Sequence, residues 1–267
     1  MSENHASQTR VNDAEPITLE TTRPVRRPVM LQGWYNLTSI HWQFDPAVVQ
    51  RLLPKGFVVD EYDNSAWVGL IPFEMRRIRL PFGPNGGIAP GRFGSFPETN
   101  VRTYIIDRHG RRAVWFFSLD ITRLAPTLIA RAGYGLPYCT ATMSITQRGE
   151  SGDKEFAVSY ESNRRWPRAT SNMPARSAVD VRVGGRRTVR PNDLAAFLSA
   201  RWALGSRFAG RLLWADVEHP EWELFDAELL RCDETMVVAA GLPEPTGTPV
   251  VLWSPGVEVR IGRPTLV

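Results

Sequence analysis

Residues 98 to 104 place an acid, an amide, a base and a phenol at alternate positions: Glu98, Asn100, Arg102 and Tyr104. With the two-residue period of a strand these four share one face, and Thr99, Val101, Thr103 and Ile105 share the other. A wet first face makes this an ordinary half-buried strand. A face that lines an interior cavity is different: a desolvated carboxylate there has a raised pKa and serves as general acid or base, and an arginine holds a substrate carboxylate bidentately. Alternation alone leaves both readings open. Tyr138, straight after Gly133-Tyr134-Gly135-Leu136-Pro137, is either a core tyrosine bonded to backbone or a hydrogen-bond donor to a developing enolate or carbonyl oxygen.

Other reactive residue types fall into no catalytic or metal spacing. His5 lies in a polar arm and His109 in a turn, while His41 and His219 sit among aromatic residues. None belongs to an HxH or HExxH pattern, so no metal is expected. Cys139 has no histidine near it in sequence to activate it, and with Cys232 it makes neither a metal spacing nor a disulfide framework. There is no GxSxG elbow, no Walker loop and no dinucleotide fingerprint, so no cofactor is expected either.

The elements that must position these groups are mostly strands. Residues 1 to 28 are polar and without period, which predicts a disordered or loosely packed arm. Strands are predicted over Leu31–Gln43, Val58–Tyr62, Ser65–Phe73, Thr99–Asp107 and Ala113–Leu119, with a tight turn at Asp63-Asn64. Further strands are read over Cys139–Gln147, Glu155–Glu161, Leu212–Glu218, Glu223–Cys232, Met236–Ala240, Val250–Trp253 and Val257–Ile261. Asp45-Pro46 starts a short helix that Pro54 ends, Pro126–Ala132 forms a second, and Asn192 caps a third that carries Leu194, Phe197, Leu198 and Trp202 and stops at Gly205. Leu80–Gly94, rich in Gly and Pro, is a loop. Without βαβ alternation, this sum argues for one mainly β (α+β) domain over residues 29 to 267, an antiparallel barrel or sandwich with a few short flanking helices.

Composition narrows the partners. The 267 residues are enough for one large domain. The net charge of +4 comes from arginine, since only Lys55 and Lys154 are lysines, and no nucleic-acid-binding motif accompanies it. No apolar run is long enough to span a membrane, and the first residues do not read as a secretory signal. The expected setting is the cytoplasm and the expected partner a small-molecule substrate or ligand; a homo-oligomer is left open.

Gly33-Trp34, Ile40-His41-Trp42, Leu53-Pro54, Ala66-Trp67-Val68-Gly69, Pro72-Phe73, Phe96–Tyr104, Trp115–Asp120 and Leu136-Pro137-Tyr138 resemble the bacterial YqjF-like domain of unknown function. Phe197-Leu198 with Arg201, and Val217–Pro220 with Trp222, fit it too. That domain is similar to the acetoacetate decarboxylase superfamily, and the resemblance implies a β-barrel or cone around a small apolar cavity. It also implies that Glu98 matches the decarboxylase's catalytic carboxylate, that Tyr138 stands where its Schiff-base lysine falls, that Cys139 replaces the adjacent lysine, and that the substrate-binding arginine falls near Tyr35. Imine chemistry is therefore not expected. The expected function is acid/base lyase, isomerase or cyclase chemistry on a carbonyl or carboxylate compound, with Glu98, Arg102 and Tyr138 catalytic and His41, Tyr35, Asn100 and Tyr104 binding substrate. The rival is a non-catalytic ligand-binding or interaction protein that keeps the cavity.

Overall fold

The structure is a computed structural model, and it describes residues 14–81, 94–122, 135–150, 152–153, 155–167 and 174–267. Its strands are β1 (Met30–Phe44), β2 (Phe57–Val59), β3 (Glu61–Tyr62), β4 (Ser65–Arg79), β5 (Phe96–Asp107), β6 (Arg112–Ile121) and β7 (Tyr138–Arg148). They continue as β8 (Ala157–Trp166), β9 (Arg176–Arg186), β10 (Ala203–Phe208), β11 (Arg211–Glu218), β12 (Phe225–Glu234), β13 (Val250–Ile261) and β14 (Thr265–Leu266). The short helices are α1 (Pro46–Gln50), α2 (Leu194–Ser199) and α3 (Met236–Ala239).

The pairing closes on itself twice. Strands β6-β7-β8-β9-β12-β13-β1-β4-β5, with β5 returning to β6, form a closed nine-stranded barrel. The same β13, β1, β4, β5 and β6 are also bridged on their other side by β10 and β11, since β10 pairs with β6 and β11 with β13. Five strands thus form a shared wall whose alternate residues feed two cores. On β4, Ala66, Val68 and Leu70 enter one core and Trp67, Ile71, Phe73 and Met75 the other. On β5, Val101 and Ile105 enter the first and Tyr104 the second. On β5 the period of two that looks ambiguous in sequence is a choice between two interiors. Among the described residues all ladders are antiparallel except β6 with β7 and β6 with β10.

Local chemistry accounts for the joints. Asp63 and Asn64 both adopt positive φ (53° and 55°) in a two-residue hairpin between β3 and β4, a conformation these residue types tolerate. Asp45 caps α1 by accepting from the Ala47 N–H at 2.8 Å, with Pro46 at the first helical position. Gly256 has φ of +128°, and a Cβ there would lie 2.2 Å from the Trp34 carbonyl oxygen. Gly256→Ala is therefore expected to destabilise the fold by about 1–3 kcal/mol, read as a lower melting temperature.

Several expectations are corrected. Met236–Ala239 is helical, because the Glu234 carboxylate accepts from the Val237 N–H at 3.0 Å and the apolar residues turn inward on one face. The helix expected after Asn192 starts one residue later, with Asp193 at the N-cap position but without a side-chain capping bond, and ends at Ser199; Gly205 lies inside β10. Val250–Trp253 and Val257–Ile261 are one strand, and β9 has no counterpart among the predicted elements. The helix at Pro126–Ala132 lies outside the described residues. From residue 14 the arm has no helix or strand, but it is anchored: Glu15 donates its N–H to Gly110 O at 2.8 Å, its carboxylate accepts from Arg112 N at 2.8 Å, and Val25 is buried.

Candidate functional site

The bridged side of the wall encloses a cavity of about 90 Å³, room for several waters or one small organic molecule. Its apolar lining includes Phe73, Met75, Phe116, Leu119, Leu204 and Trp222. Into this lining β5 sends Glu98, Asn100 and Arg102, β7 begins with Tyr138, and Arg201 arrives from the turn between α2 and β10. The cavity reading of the β5 face is the one the fold adopts.

Glu98 is 2% exposed, and among the described residues its Oε2 has no hydrogen-bond partner. Burial, and secondarily the nearby Asp120, push its pKa up to about 8, so at neutral pH it is a carboxylic acid with a proton to give. Asp120 lies behind it in a bidentate pair, accepting from Arg164 Nε and Nη2 at 2.7 Å each. Tyr138 is carried beside β6 by the Leu119–Tyr138 register. Desolvation, and then Glu98, hold its hydroxyl well above the usual phenol range, so it stays a donor.

The other end of the cavity is basic. Arg102 donates from Nη2 to Leu198 O at 3.1 Å and to the Tyr104 hydroxyl at 3.4 Å, and its Nε has no partner among the described residues. Arg201 donates from Nε to Phe197 O at 2.8 Å and from Nη1 to Asp60, and its Nη2 has no partner among the described residues. Tyr104 gives its single proton to Leu198 O at 2.8 Å, so its oxygen accepts from His41 Nε2–H at 2.7 Å. That bond fixes the tautomer of His41, and burial, then Arg102 and Arg201, hold its pKa well below the usual value.

Of the residues singled out in the sequence, Glu98, Asn100, Arg102 and Tyr138 come together on the cavity wall. Three do not. Tyr104 and His41 stand behind the arginines as a buried hydrogen-bonded support. Tyr35 lies on the outer surface, its hydroxyl on Glu258 and its ring under Arg76 and Arg77 at 5.0 and 5.7 Å, because the strand irregularity at Asn36 changes which side of β1 faces inward. Arg201, Trp34 and His219 line the cavity without having been assigned a role from sequence. Arg201 stood out only within the family pattern, since nothing in its own neighbourhood signals a partner on β5. His219, wedged 4.5 Å from Trp202 and 5.3 Å from Trp222 by ring centres, is held neutral by burial with its pKa lowered to about 4.

Cys139 is buried, its thiol directed at Pro137 O at 3.6 Å. Lys55 is exposed in the turn before β2, Lys154 lies outside the described residues, and no lysine lines the cavity among the described residues. Among those residues there is also no cluster of His, Cys, Asp and Glu fit to hold a metal ion, and no helix is long and apolar enough to cross a membrane.

Residues 31–258 match the DUF2071 family, described as an uncharacterized conserved protein. The chain belongs to this family. Within the same group of likenesses, the DUF2071 chain is 27% identical over 226 residues to the uncharacterized protein YqjF of Bacillus subtilis (strain 168), covering 85% of this chain and 87% of that one. Its fold is similar to that of the enduracididine biosynthesis enzyme MppR complexed with pyruvate, with a TM-score of 0.60 and 13% identity over 95% of this chain and 98% of that one. It is likewise similar to acetoacetate decarboxylase from Legionella pneumophila, with a TM-score of 0.55 and 13% identity over 93% of each chain. The DUF2071 chain has the acetoacetate decarboxylase-like fold.

Proposed function

We propose that this DUF2071 chain is a small-molecule enzyme that performs acid/base chemistry on a carbonyl or carboxylate compound without forming an imine. The observation that supports this most strongly is a row of buried polar atoms that have no partner among the described residues, on the wall of one apolar cavity: Glu98 Oε2, Asn100 Oδ1, Arg102 Nε and Arg201 Nη2. Such atoms are unfavourable in an empty site and become favourable once a ligand satisfies them. Glu98 donates its proton to the carbonyl oxygen, and the Tyr138 hydroxyl donates a second hydrogen bond to the oxygen as charge develops. Arg102 binds the anionic group. Polarising the carbonyl in this way acidifies the adjacent C–H, whose proton passes to water, and the resulting enol is an intermediate common to lyase, isomerase and cyclase reactions. Both that MppR structure and the decarboxylase are enzymes on this fold, which agrees with the reading.

The test is proton NMR in D₂O with a panel of small oxo acids. Loss of the signals next to the carbonyl is expected, faster than in buffer alone. Binding across the panel without exchange would leave a non-catalytic ligand-binding protein. Borohydride added with an oxo acid is expected to give no covalent adduct, and a stable adduct on any lysine would overturn the exclusion of an imine.

A further inference from the structure

The cavity has two ends of different chemistry, and they lie apart. At one end two guanidinium groups converge on a single ring: the Cζ atoms of Arg201 and Arg102 stand 4.5 and 5.6 Å from the centre of Tyr104. Both are fixed by carbonyls at the C-terminal end of α2, Arg201 by Phe197 O and Arg102 by Leu198 O. After those bonds each retains one buried nitrogen with no partner among the described residues, Arg201 Nη2 with two N–H groups and Arg102 Nε with one. Asp60 balances Arg201 while also accepting from Arg112, and among the described residues no carboxylate pairs with Arg102. A desolvated cation with a spare donor, beside a second one, is the setting in which a bound carboxylate is most favourable.

Among the described residues no basic side chain lines the cavity at the other end. Glu98 is neutral below about pH 8, and Tyr138 remains a phenol. That pair suits an uncharged oxygen acceptor. Glu98 and Arg102 lie four residues apart on one strand, which at ~3.3 Å per residue separates their Cα atoms by about 13 Å before the local bulge shortens it. The irregularity falls between Val101 and Arg102 in the β5–β6 ladder. Between the two ends the wall carries Asn100, flanked by the apolar Ile71 and Leu119 in its paired strands, with Phe116 opposite Arg102.

We infer that the ligand is an elongated oxo monocarboxylate whose carboxylate sits between Arg102 and Arg201 and whose carbonyl, several methylene groups away, meets Glu98 and Tyr138. A 2-oxo acid is too short to reach both ends. The inference rests on the proposed role of Glu98 towards a carbonyl, and it adds the length and polarity of the compound.

The experiment is a set of dissociation constants, by calorimetry, for pyruvate, 4-oxopentanoate, 5-oxohexanoate and 7-oxooctanoate, with the neutral ketone 2-hexanone as control. Affinity is expected to rise at least about tenfold from pyruvate to the longer acids. Arg102→Gln is expected to weaken the best acid by about tenfold or more and to leave 2-hexanone unchanged, with Arg102→Lys intermediate. The unchanged ketone shows that the variant is folded and the cavity intact. Pyruvate binding as tightly as the longest acid, equal weakening of acid and ketone, or no binding by any member would overturn the inference. These constants require no turnover: the expected pattern without deuterium exchange would remove the catalytic proposal and leave this one standing.

Discussion

Glu98→Gln is expected to lose deuterium exchange and, at the same time, to make the folded protein more stable at neutral and alkaline pH. The loss of a positioned acid lowers the exchange rate by about 10²–10⁴-fold. The gain follows from linkage. The carboxyl ionises near 4.5 when unfolded and near 8 when folded. Below pH 4.5 both states hold the proton and stability does not depend on this group. Between 4.5 and 8 only the folded state holds it, so stability falls as pH rises; above 8 the full loss is in place. At pH 7 the accumulated destabilisation is on the order of 3 kcal/mol, which glutamine removes. Chemical denaturation of parent and variant at pH 5 and pH 8.5 checks this: the stability difference should widen markedly with pH. A stability difference between parent and variant that is the same at both pH values would show that Glu98 is not desolvated. In the parent protein the exchange rate should fall as pH rises through about 8, where the acid is lost. Loss of rate below that pH would assign Glu98 the role of base.

The direction of that shift has a structural cause. Asp120 lies near Glu98 and contributes to raising its pKa, but its oxygens are engaged by Arg164 in a bidentate pair. Burial is therefore the larger cause, and it is set by the seven strands that surround the cavity. A carboxyl in such a place is unfavourable for folding and suited to proton donation at neutral pH, a compromise expected where a site carries chemistry.

How much of this could be read from the chain depends on how far apart the cooperating residues lie. The face holding Glu98, Asn100 and Arg102 follows from period two in one short segment, and the strand, its partner and the Tyr138 turn are local features. Whether that face was wet or enclosed was not local, because the strands that roof it, β10 and β11, lie about a hundred residues downstream and carry no mark of what they cover. The same holds for Arg201, which enters the site only because α2 stops at Ser199 and the chain turns into β10. Trp202 falls at helical spacing from Leu198, so the pattern suggested a longer helix than the fold makes. β9 was legible in principle: Ser177, Val179, Val181 and Val183 alternate as buried positions. Met236–Ala239 misled in the opposite way, since its apolar, β-branched content favours a strand until Glu234 caps the first turn.

Asp60→Asn is expected to be among the most damaging single changes outside the cavity wall. Asp60 is 1% exposed and accepts from both Arg112 and Arg201, the latter 5% exposed. Removing its charge strands a buried guanidinium, at a cost of about 3–5 kcal/mol in a denaturant titration. The Asp60–Arg201 pair is not needed for stability as such: Asp60→Leu combined with Arg201→Met, which replaces both of these charges with apolar groups, is expected to recover part of the loss, the remainder belonging to Arg112, whose side chain is 18% exposed and loses the same carboxylate. Recovery of folding should not restore ligand binding. With Arg201 gone, a long oxo acid loses one of its two anion partners while 2-hexanone keeps all of its contacts, so the double variant should bind the ketone normally and the acid weakly. A double variant that binds both as the parent does would make Arg201 a structural residue only, and would leave Arg102 to hold the carboxylate alone.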